Sequence, residues 1–459
     1  MTDELHDLAA HVWGLAGGAP EVAGRLRVTG PRTFLPAVFD VTGLATASVG
    51  AATLAAAEYH AARNSSEVAA VRVDSRAACA AYAAEGLFTP VGWSLPEIWD
   101  PVAGNYQARD RWIRLHTNYA YHRSAVSGLL KADDRDAVRA AVSQWQAAEL
   151  EAAVVAAGGC AAVMHDRDEW LASAPGAASA DAPALSVTER GLAAGAVPGA
   201  EGAERPYSGV RVLDLTRVIA GPVGTRFLAA YGADVLRLDP PGFQEVPALL
   251  PETTAGKRTA ALDLKAPAGR ATFERLAAAA DVLVTGLRAD ALDRLGYDDA
   301  TLTALNPALI IASLDAYGWD GPWRNRRGFD SLVQMSCGIA AAGDGDGPAP
   351  LPVQALDHAT GYLLAAAVGR ALTTRLTRGV AGRIRASLVG TANLLWSFPR
   401  AADLGDPPSR LRRGEIPLVD TRTAWGPARR APFPGEIAGI APELRIEAGP
   451  LGRGEPAWR

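Results

Sequence analysis

The chain has 459 residues, of which 49% are hydrophobic and 21% charged, a globular composition with room for two or three domains. A formal net charge of −5 argues against a nucleic-acid partner, and three scattered cysteines (Cys79, Cys160, Cys337) without a C-x-x-C pair suggest neither a zinc site nor a disulfide framework. No apolar run reaches the ~18 residues of a membrane span, and the acidic start MTDELHDLAAHVWGL lacks the basic region of a signal peptide, so the expectation is a cytoplasmic protein.

The first module, residues 1–171, opens its recognisable pattern at Phe39-Asp40-Val41-Thr42-Gly43. An Ala-rich stretch, LATASVGAATLAAAEYHAARN, predicts a long helix, and VRVDSRAAC a strand. DPVAGNYQARDRWIRLHT (Asp100 to Thr117) reads as two strands and a turn, and helical segments run on to Glu169-Trp170-Leu171. Ala172 to Pro206 is rich in Ala, Gly, Pro and Ser and reads as a linker.

The second module, residues 207–400, begins with GVRVLDLTRVIAGPVGTRFLAAYGADVLRLD (Gly209 to Asp239), one βαβ unit of a parallel, doubly wound sheet. Its loop, Thr216 to Pro222, is not G-x-G-x-x-G, so a dinucleotide is not the obvious ligand. TAALDLK, DVLVTG, ALIIASLDAY and GRIRASLVG predict further strands. AGRATFERLAAAA, entered through Pro267, predicts a helix between them, as do Ala289 to Leu295 and a segment near Asp299. A further helix is expected near Ser331, and a Gly/Pro-rich loop leads into the long apolar helix QALDHATGYLLAAAVGRALTTRL. Residues 401–459 read as a Pro/Arg-rich, surface-wrapping tail. The predicted fold class is α/β: a Rossmann-like, doubly wound parallel sheet with a smaller α+β N-terminal module.

No histidine pairing, G-x-S-x-G elbow or Walker loop is present, so neither metal nor serine catalysis has an anchor. Asp357, at the start of the long helix, admits two compatible readings. It is a helix N-cap, or a carboxylate nucleophile whose oxyanion the free N–H groups of the helix start stabilise. Arg288, Arg294, Lys265 and Lys257 follow successive strands, where a phosphate-bearing ligand of such a sheet sits. The Asp40 segment partly repeats the Asp357 segment, and Asp40 is expected to be structural.

Six segments carry a resemblance: VLDLTRVIAGPVGTRFLAAYGADVLRLDPPG, GKRTAALDLKAPAGR, ADVLVTGLRADALDRLG, LNPALIIASLDAYGWDGPW, RRGFDSLVQMSCG and ALDHATGYLLAAAVGRALTTR. In order, over Gly209 to about Leu394, they resemble the family III coenzyme A transferases, the group of formyl-CoA and carnitine CoA-transferases and α-methylacyl-CoA racemase. The resemblance implies that Asp357 is a covalent nucleophile forming an aspartyl anhydride and then an aspartyl-CoA thioester. It places Asp330 as an acidic neighbour of the nucleophile. Val218, Leu262, Lys265, Leu287, Arg288, Arg294 and Arg327 fall on its CoA contacts. Coenzyme A would be a substrate, with no tightly bound cofactor or metal. The partners implied are acyl-CoA and carboxylate small molecules and a second copy of the chain in an interlocked homodimer, with no nucleic acid or membrane.

The chain also departs from the family. Ile219 stands where a Gln is frequent, Pro240 where a basic residue is, and Gly286 where an Asn is. Phe329 replaces the histidine of the racemase branch and cannot move a proton. No family-type glycine loop is visible, and the first module resembles the part that normally follows the second. Two alternatives to a CoA-transferase are therefore an acyl-CoA racemase or isomerase using Asp357 as base, and a non-catalytic CoA-binding paralogue.

Overall fold

The computed structural model describes residues 2–192, 202–400, 404 and 413–459. The centre of the predicted linker and residues 401–403 and 405–412 at the start of the predicted tail lie outside them. In the first module, α1 (Thr2–Leu15), β1 (Leu26–Thr29), α2 (Val41–Asn64) and β2 (Val71–Asp74) follow one another, with β1 and β2 paired in parallel. Three further strands, β3 (Gly104–Gln107), β4 (Trp112–Leu115) and β5 (Ala161–Val163), form an antiparallel sheet. That sheet has its own core of Val102, Tyr106, Ile113, Val126 and Leu150.

The large sheet holds seven strands: β6 (Leu185–Gly191), β7 (Arg211–Leu215), β8 (Asp234–Asp239), β9 (Arg258–Ala261), β10 (Val282–Thr285), β11 (Ile310–Asp315) and β12 (Val380–Ser387). Their spatial order is β9-β8-β7-β10-β11-β12-β6, and only β6 runs antiparallel to its neighbour. The chain winds from β7 outward through β8 and β9, then returns to the other side of β7 at β10. The switch point lies between β7 and β10, and ligands of such sheets bind outside the carboxyl ends there.

The predicted linker needs correction. Ala174–Ser179 is a short helix, and Leu185–Gly191 is β6, laid against the edge of β12. The physical reason is that an uncovered edge strand presents unpaired N–H and C=O groups, and β6 satisfies those of β12. The predicted helix at Ala289 to Leu295 contracts to one 3-10 turn, Asp293–Leu295. In the tail, Gly426–Arg430 pairs with Thr89–Pro90 and Glu436–Ile437 pairs with β2, so the carboxyl end is stitched to the first module.

Three helices set the position of the site. α3 (Ala220–Ala230) follows β7, α4 (Asp330–Ser336) follows the loop after β11, and α5 (Ala355–Arg378) leads into β12. α2 and α5 are each 24 residues long and pack against one another. Both are apolar on nearly every face, which is the pattern of a helix enclosed in a core. One hydrophobic core runs through both modules, from Leu44 and Leu54 of α2 to Leu363 and Leu372 of α5. Glycines let α3 and α5 touch backbone to backbone. A Cβ on Gly361 would lie 2.4 Å from the Ala220 carbonyl oxygen, and one on Gly224 would lie 2.6 Å from the Gly361 carbonyl oxygen. Neither obstacle is a side chain that can swing away. Gly361→Ala is therefore expected to cost about 1–3 kcal/mol of stability by overpacking, measured by urea unfolding.

Candidate active site

The loop after β7 is held from below by a buried carboxylate. Asp214 accepts hydrogen bonds from Thr216 N (2.8 Å), Thr216 Oγ1 (2.5 Å) and Thr225 Oγ1 (2.6 Å), and pairs with Lys257 Nζ at 3.1 Å. Lys257 Nζ also donates to the Pro222 carbonyl at 3.0 Å. This corrects the expectation for Lys257: it is buried and braces the βα turn, and is not available to a phosphate. Burial lowers its pKa to about 8 against the raising influence of Asp214. Above this anchor Val218 sits at φ +63°, a left-handed conformation that a β-branched residue rarely adopts. Its N–H donates to Glu245 Oε2 at 2.9 Å, and Glu245 also accepts from Tyr119 Oη (2.6 Å) and Arg237 Nη2 (3.1 Å). The strained residue is thus pinned by a buried carboxylate.

Asp357 is the third residue of α5, and the N-cap position belongs to Gln354, so the N-cap reading of Asp357 is overturned. The free N–H groups expected around it are also engaged. Ala355 N donates to the Val353 carbonyl, and Leu356 N (2.8 Å) and Asp357 N (3.0 Å) donate to Asp330 Oδ2. The other oxygen of Asp330 accepts from Gln334 Nε2, and Gln334 Oε1 accepts from Leu351 N at 2.8 Å. Asp330 therefore fastens α4, the loop before α5 and the first turn of α5 together. The Asp357 carboxylate accepts no hydrogen bond among the described residues. Its neighbour His358 turns elsewhere: Nε2 lies 3.1 Å from Glu85 Oε2, and the ring stacks on Tyr82 at 5.2 Å between centroids.

Two cavities meet at Asp357. The first, about 320 Å³, opens at the carboxyl ends of the strands and is lined by Val218, Gly286, Leu287, Arg288, Leu314 and Asp315, with Tyr119, Tyr121 and His122 contributed by the first module. Four arginines face it: Arg217, Arg288, Arg326 and Arg327. Arg326 is paired with Glu151 at 3.0 Å and lies over the Trp323 ring, and Arg217 lies over Phe243 and 3.8 Å from Asp239. Arg288 and Arg327 have no carboxylate partner among the described residues. The second cavity, about 330 Å³, is walled by the segment from Tyr82 to Asn118 of the first module together with Ile219, Leu249, Pro352 and Val353. Val218, Phe329 and Asp357 line both.

Of the residues singled out in the sequence, Asp357, Val218, Leu287, Arg288 and Arg327 converge on the first cavity. Asp330 lies behind it, fully buried. Leu262 is packed into a core with Leu215, Leu238 and Leu292. Lys265 is exposed, and Arg294 is largely exposed and paired with Asp290; neither lines the cavity. Sequence reasoning missed Arg217 and Arg326, although each neighbours a singled-out residue. It also missed Glu85, Tyr119 and His122, whose distance along the chain hides their approach.

Burial, with Asp330 and Glu85 as like-charged neighbours, raises the Asp357 pKa well above the ordinary carboxylate range. Burial raises Asp330 to about 6 against its hydrogen bonds from Asp357, Gln334 and Leu356. Glu85 is pushed up by burial, but the His358 charge and hydrogen bond outweigh this and leave it lowered. Asp330 and Glu85 thus have partners for their charge, and Asp357 keeps the proton. An unfolded Asp ionises near ~3.9. Between that pH and the folded value the unfolded chain has released a proton the folded chain retains, so stability falls as pH rises. Asp357→Asn is expected to match the parent near pH 4 and to exceed it at pH 7.5 by at least about 1.4 kcal/mol, the equivalent of a tenfold change in proton affinity, read by urea unfolding at the two pH values.

Comparison with known proteins agrees with this geometry. Residues 207–415 match the model of CoA-transferase family III. Over 203 residues the chain is 32% identical to the probable fatty acyl-CoA transferase Rv3272 of Mycobacterium tuberculosis, covering 41% of this chain and 52% of that protein. Over 228 residues it is 33% identical to a succinate–glutarate CoA-transferase of Agrobacterium fabrum, covering 45% and 57%. A crystal structure of a CAIB/BAIF family protein from Brucella suis aligns at 28% identity over 49% of this chain and 65% of that one, with a TM-score of 0.37. The chain spans about half the length of the curated relatives it matches. The sequence matches make residues 207–415, the stretch that carries the parallel strands and their switch-point crevice, similar to CoA-transferase family III.

Proposed function

We propose that the protein moves coenzyme A between an acyl-CoA and a free carboxylic acid, with Asp357 as the covalent nucleophile. The observation that carries this reading is a carboxylate without hydrogen-bond partners at the junction of a crevice lined by arginines and a second, largely apolar cavity. The crevice suits the phosphate-bearing end of coenzyme A, with Arg288 and Arg327 free to pair and Arg217 and Arg326 beside them. Lys265 and Arg294 are left as exposed charges outside this set.

The chemistry balances without an energy source. The ionised Asp357 oxygen attacks the thioester carbonyl carbon, the C–S bond breaks, and the coenzyme A thiolate leaves an aspartyl-acyl anhydride. The thiolate then attacks the Asp357 carbonyl carbon, expelling the first carboxylate and leaving an aspartyl-CoA thioester. The incoming carboxylate attacks that thioester and releases the thiolate. Attack of the thiolate on the new acyl carbon frees Asp357 and the new acyl-CoA. The raised pKa of Asp357 makes its carboxylate more nucleophilic, at the cost of a smaller ionised fraction at neutral pH. Asp330 holds the peptide groups of residues 356 and 357, which positions the nucleophile. The same reading takes the chain as a cytoplasmic homodimer with no tightly bound cofactor.

Incubation with an acyl-CoA and hydroxylamine tests the proposal. The expected result is progressive inactivation with a hydroxamate at residue 357 by mass spectrometry, and no modification in Asp357→Ala. Intact protein without a trapped adduct, combined with deuterium wash-in at the acyl α-carbon, would instead favour a racemase. Arg288→Ala and Arg327→Ala are expected each to raise KM for the acyl-CoA by about tenfold, the worth of one charge-assisted contact, with kcat little changed.

A further inference from the structure

We infer that the second cavity selects an uncharged, mainly apolar acyl group and rejects one that carries a second carboxylate. The inference rests on the proposed transferase reading, because it assigns the acyl group to the cavity on the far side of Asp357 from the arginines.

The charge distribution of the two cavities carries the argument. All four arginines lie on the crevice side, and among the described residues no lysine or arginine lines the second cavity. Its wall is built from Leu87, Ile98, Trp99, Leu249, Phe329 and Val353. Its acidic groups are Glu85 and Asp357 themselves. The one basic ring in the wall, His116, stacks flat on Phe329 with 3.7 Å between centroids. Burial, with the neighbouring Arg114 charge, holds that imidazole neutral by lowering its pKa well below the ordinary value. Two guanidinium groups lie near the wall without lining the cavity. Arg114 lies over the Trp99 ring at 4.8 Å and donates to Asn105 at 2.8 Å, and Arg226 is paired with Glu252.

A second carboxylate entering this cavity would lose its hydration without gaining a cation, and would lie beside the Glu85 carboxylate. An alkyl or aryl group would instead bury its surface against Leu, Ile, Trp and Phe side chains. The reacting carboxylate of the acceptor escapes this exclusion. It stops at residue 357, where the cavity meets the arginine-lined crevice, so one carboxylate is admitted and a second, at the far end of the acyl group, is not.

Binding of unreactive thioethers to the full chain separates this inference from the transferase reading. Isothermal titration calorimetry with S-hexyl-CoA, S-(4-carboxybutyl)-CoA and coenzyme A itself is expected to rank hexyl tightest, with the carboxybutyl compound weaker than hexyl by at least about 100-fold. Ile98→Lys places a cation on the half-buried wall and is expected to tighten the carboxybutyl compound at least about tenfold while weakening the hexyl one. Trp99→Ala, at a partly exposed site, is expected to weaken hexyl binding about tenfold and leave coenzyme A unchanged. Carboxybutyl binding as tight as hexyl binding, or hexyl binding no tighter than coenzyme A, overturns the inference. If the expected ranking appears but hydroxylamine traps nothing at residue 357, the inference stands and the transferase reading falls.

Discussion

The hydrogen bonds from Leu356 N and Asp357 N to one oxygen of Asp330 are the constraint on which the site depends. A helix start leaves its first N–H groups without partners, and here a carboxylate from another helix supplies the acceptor. Asp330 is fully buried and also accepts from Gln334, whose own oxygen ties down Leu351 in the loop before α5. The arrangement fixes where α5 begins and which way residue 357 faces. It also decides the charge. Asp330 spends its negative charge on peptide groups, and Asp357, next to it and without donors of its own, is the cheaper place for a proton. The position and the proton affinity of Asp357 therefore have one cause.

The first module shows the same problem solved differently. α2 and α5 have equal length, and the residues before them, Asp40 and Gln354, share nearly the same backbone angles, φ −75° with ψ 67° and 65°. Counted from each helix start, Asp357 corresponds to Gly43 and not to Asp40. Asp40 caps its own helix by accepting from Gly43 N at 2.7 Å, and Arg32 neutralises it with two hydrogen bonds of 2.9 and 2.6 Å. In α5 the capping carboxylate comes from outside the helix, at Asp330. That transfer leaves the third helical position free to carry a side chain with no structural task. A capped and neutralised carboxylate is a stabiliser, and an uncapped, unpaired one in the same core costs stability, which is consistent with the role proposed for Asp357.

The fold was legible where periodicity and β-branched runs speak locally. The strands around DVLVTG and ALIIASLDAY, the βαβ loop and the long Ala-rich helices follow from such patterns. β6 was not legible, because a strand in an Ala/Gly/Pro/Ser-rich stretch forms only when the edge of β12 is there to pair with. The site divides in the same way. Asp357 and Arg288 were visible because they sit at a helix start and after a strand end, and Arg327 only through the family resemblance. Lys257 was misplaced because a cation after a strand reads alike whether it faces solvent or the buried Asp214. Glu85, Tyr119 and the wall from Ile98 to Asn118 carry no local mark of function. They reach the site through the packing of α2 on α5, a contact between residues some three hundred apart.

The separation of charge across Asp357 also constrains the order of events. The arginines collect on the side of the strand ends, with Asp315 among them, and an apolar wall with Glu85 on the side of the first module. On the transferase reading proposed above, a free acid arriving first would place its carboxylate beside an apolar wall, where it loses hydration without gaining a cation. On that reading, an acyl-CoA would set its phosphates against those arginines and lay an uncharged thioester across Asp357. The boundary between two unlike cavities would then favour donor before acceptor through charge and hydration, with residue 357 uncharged when the second carboxylate approaches.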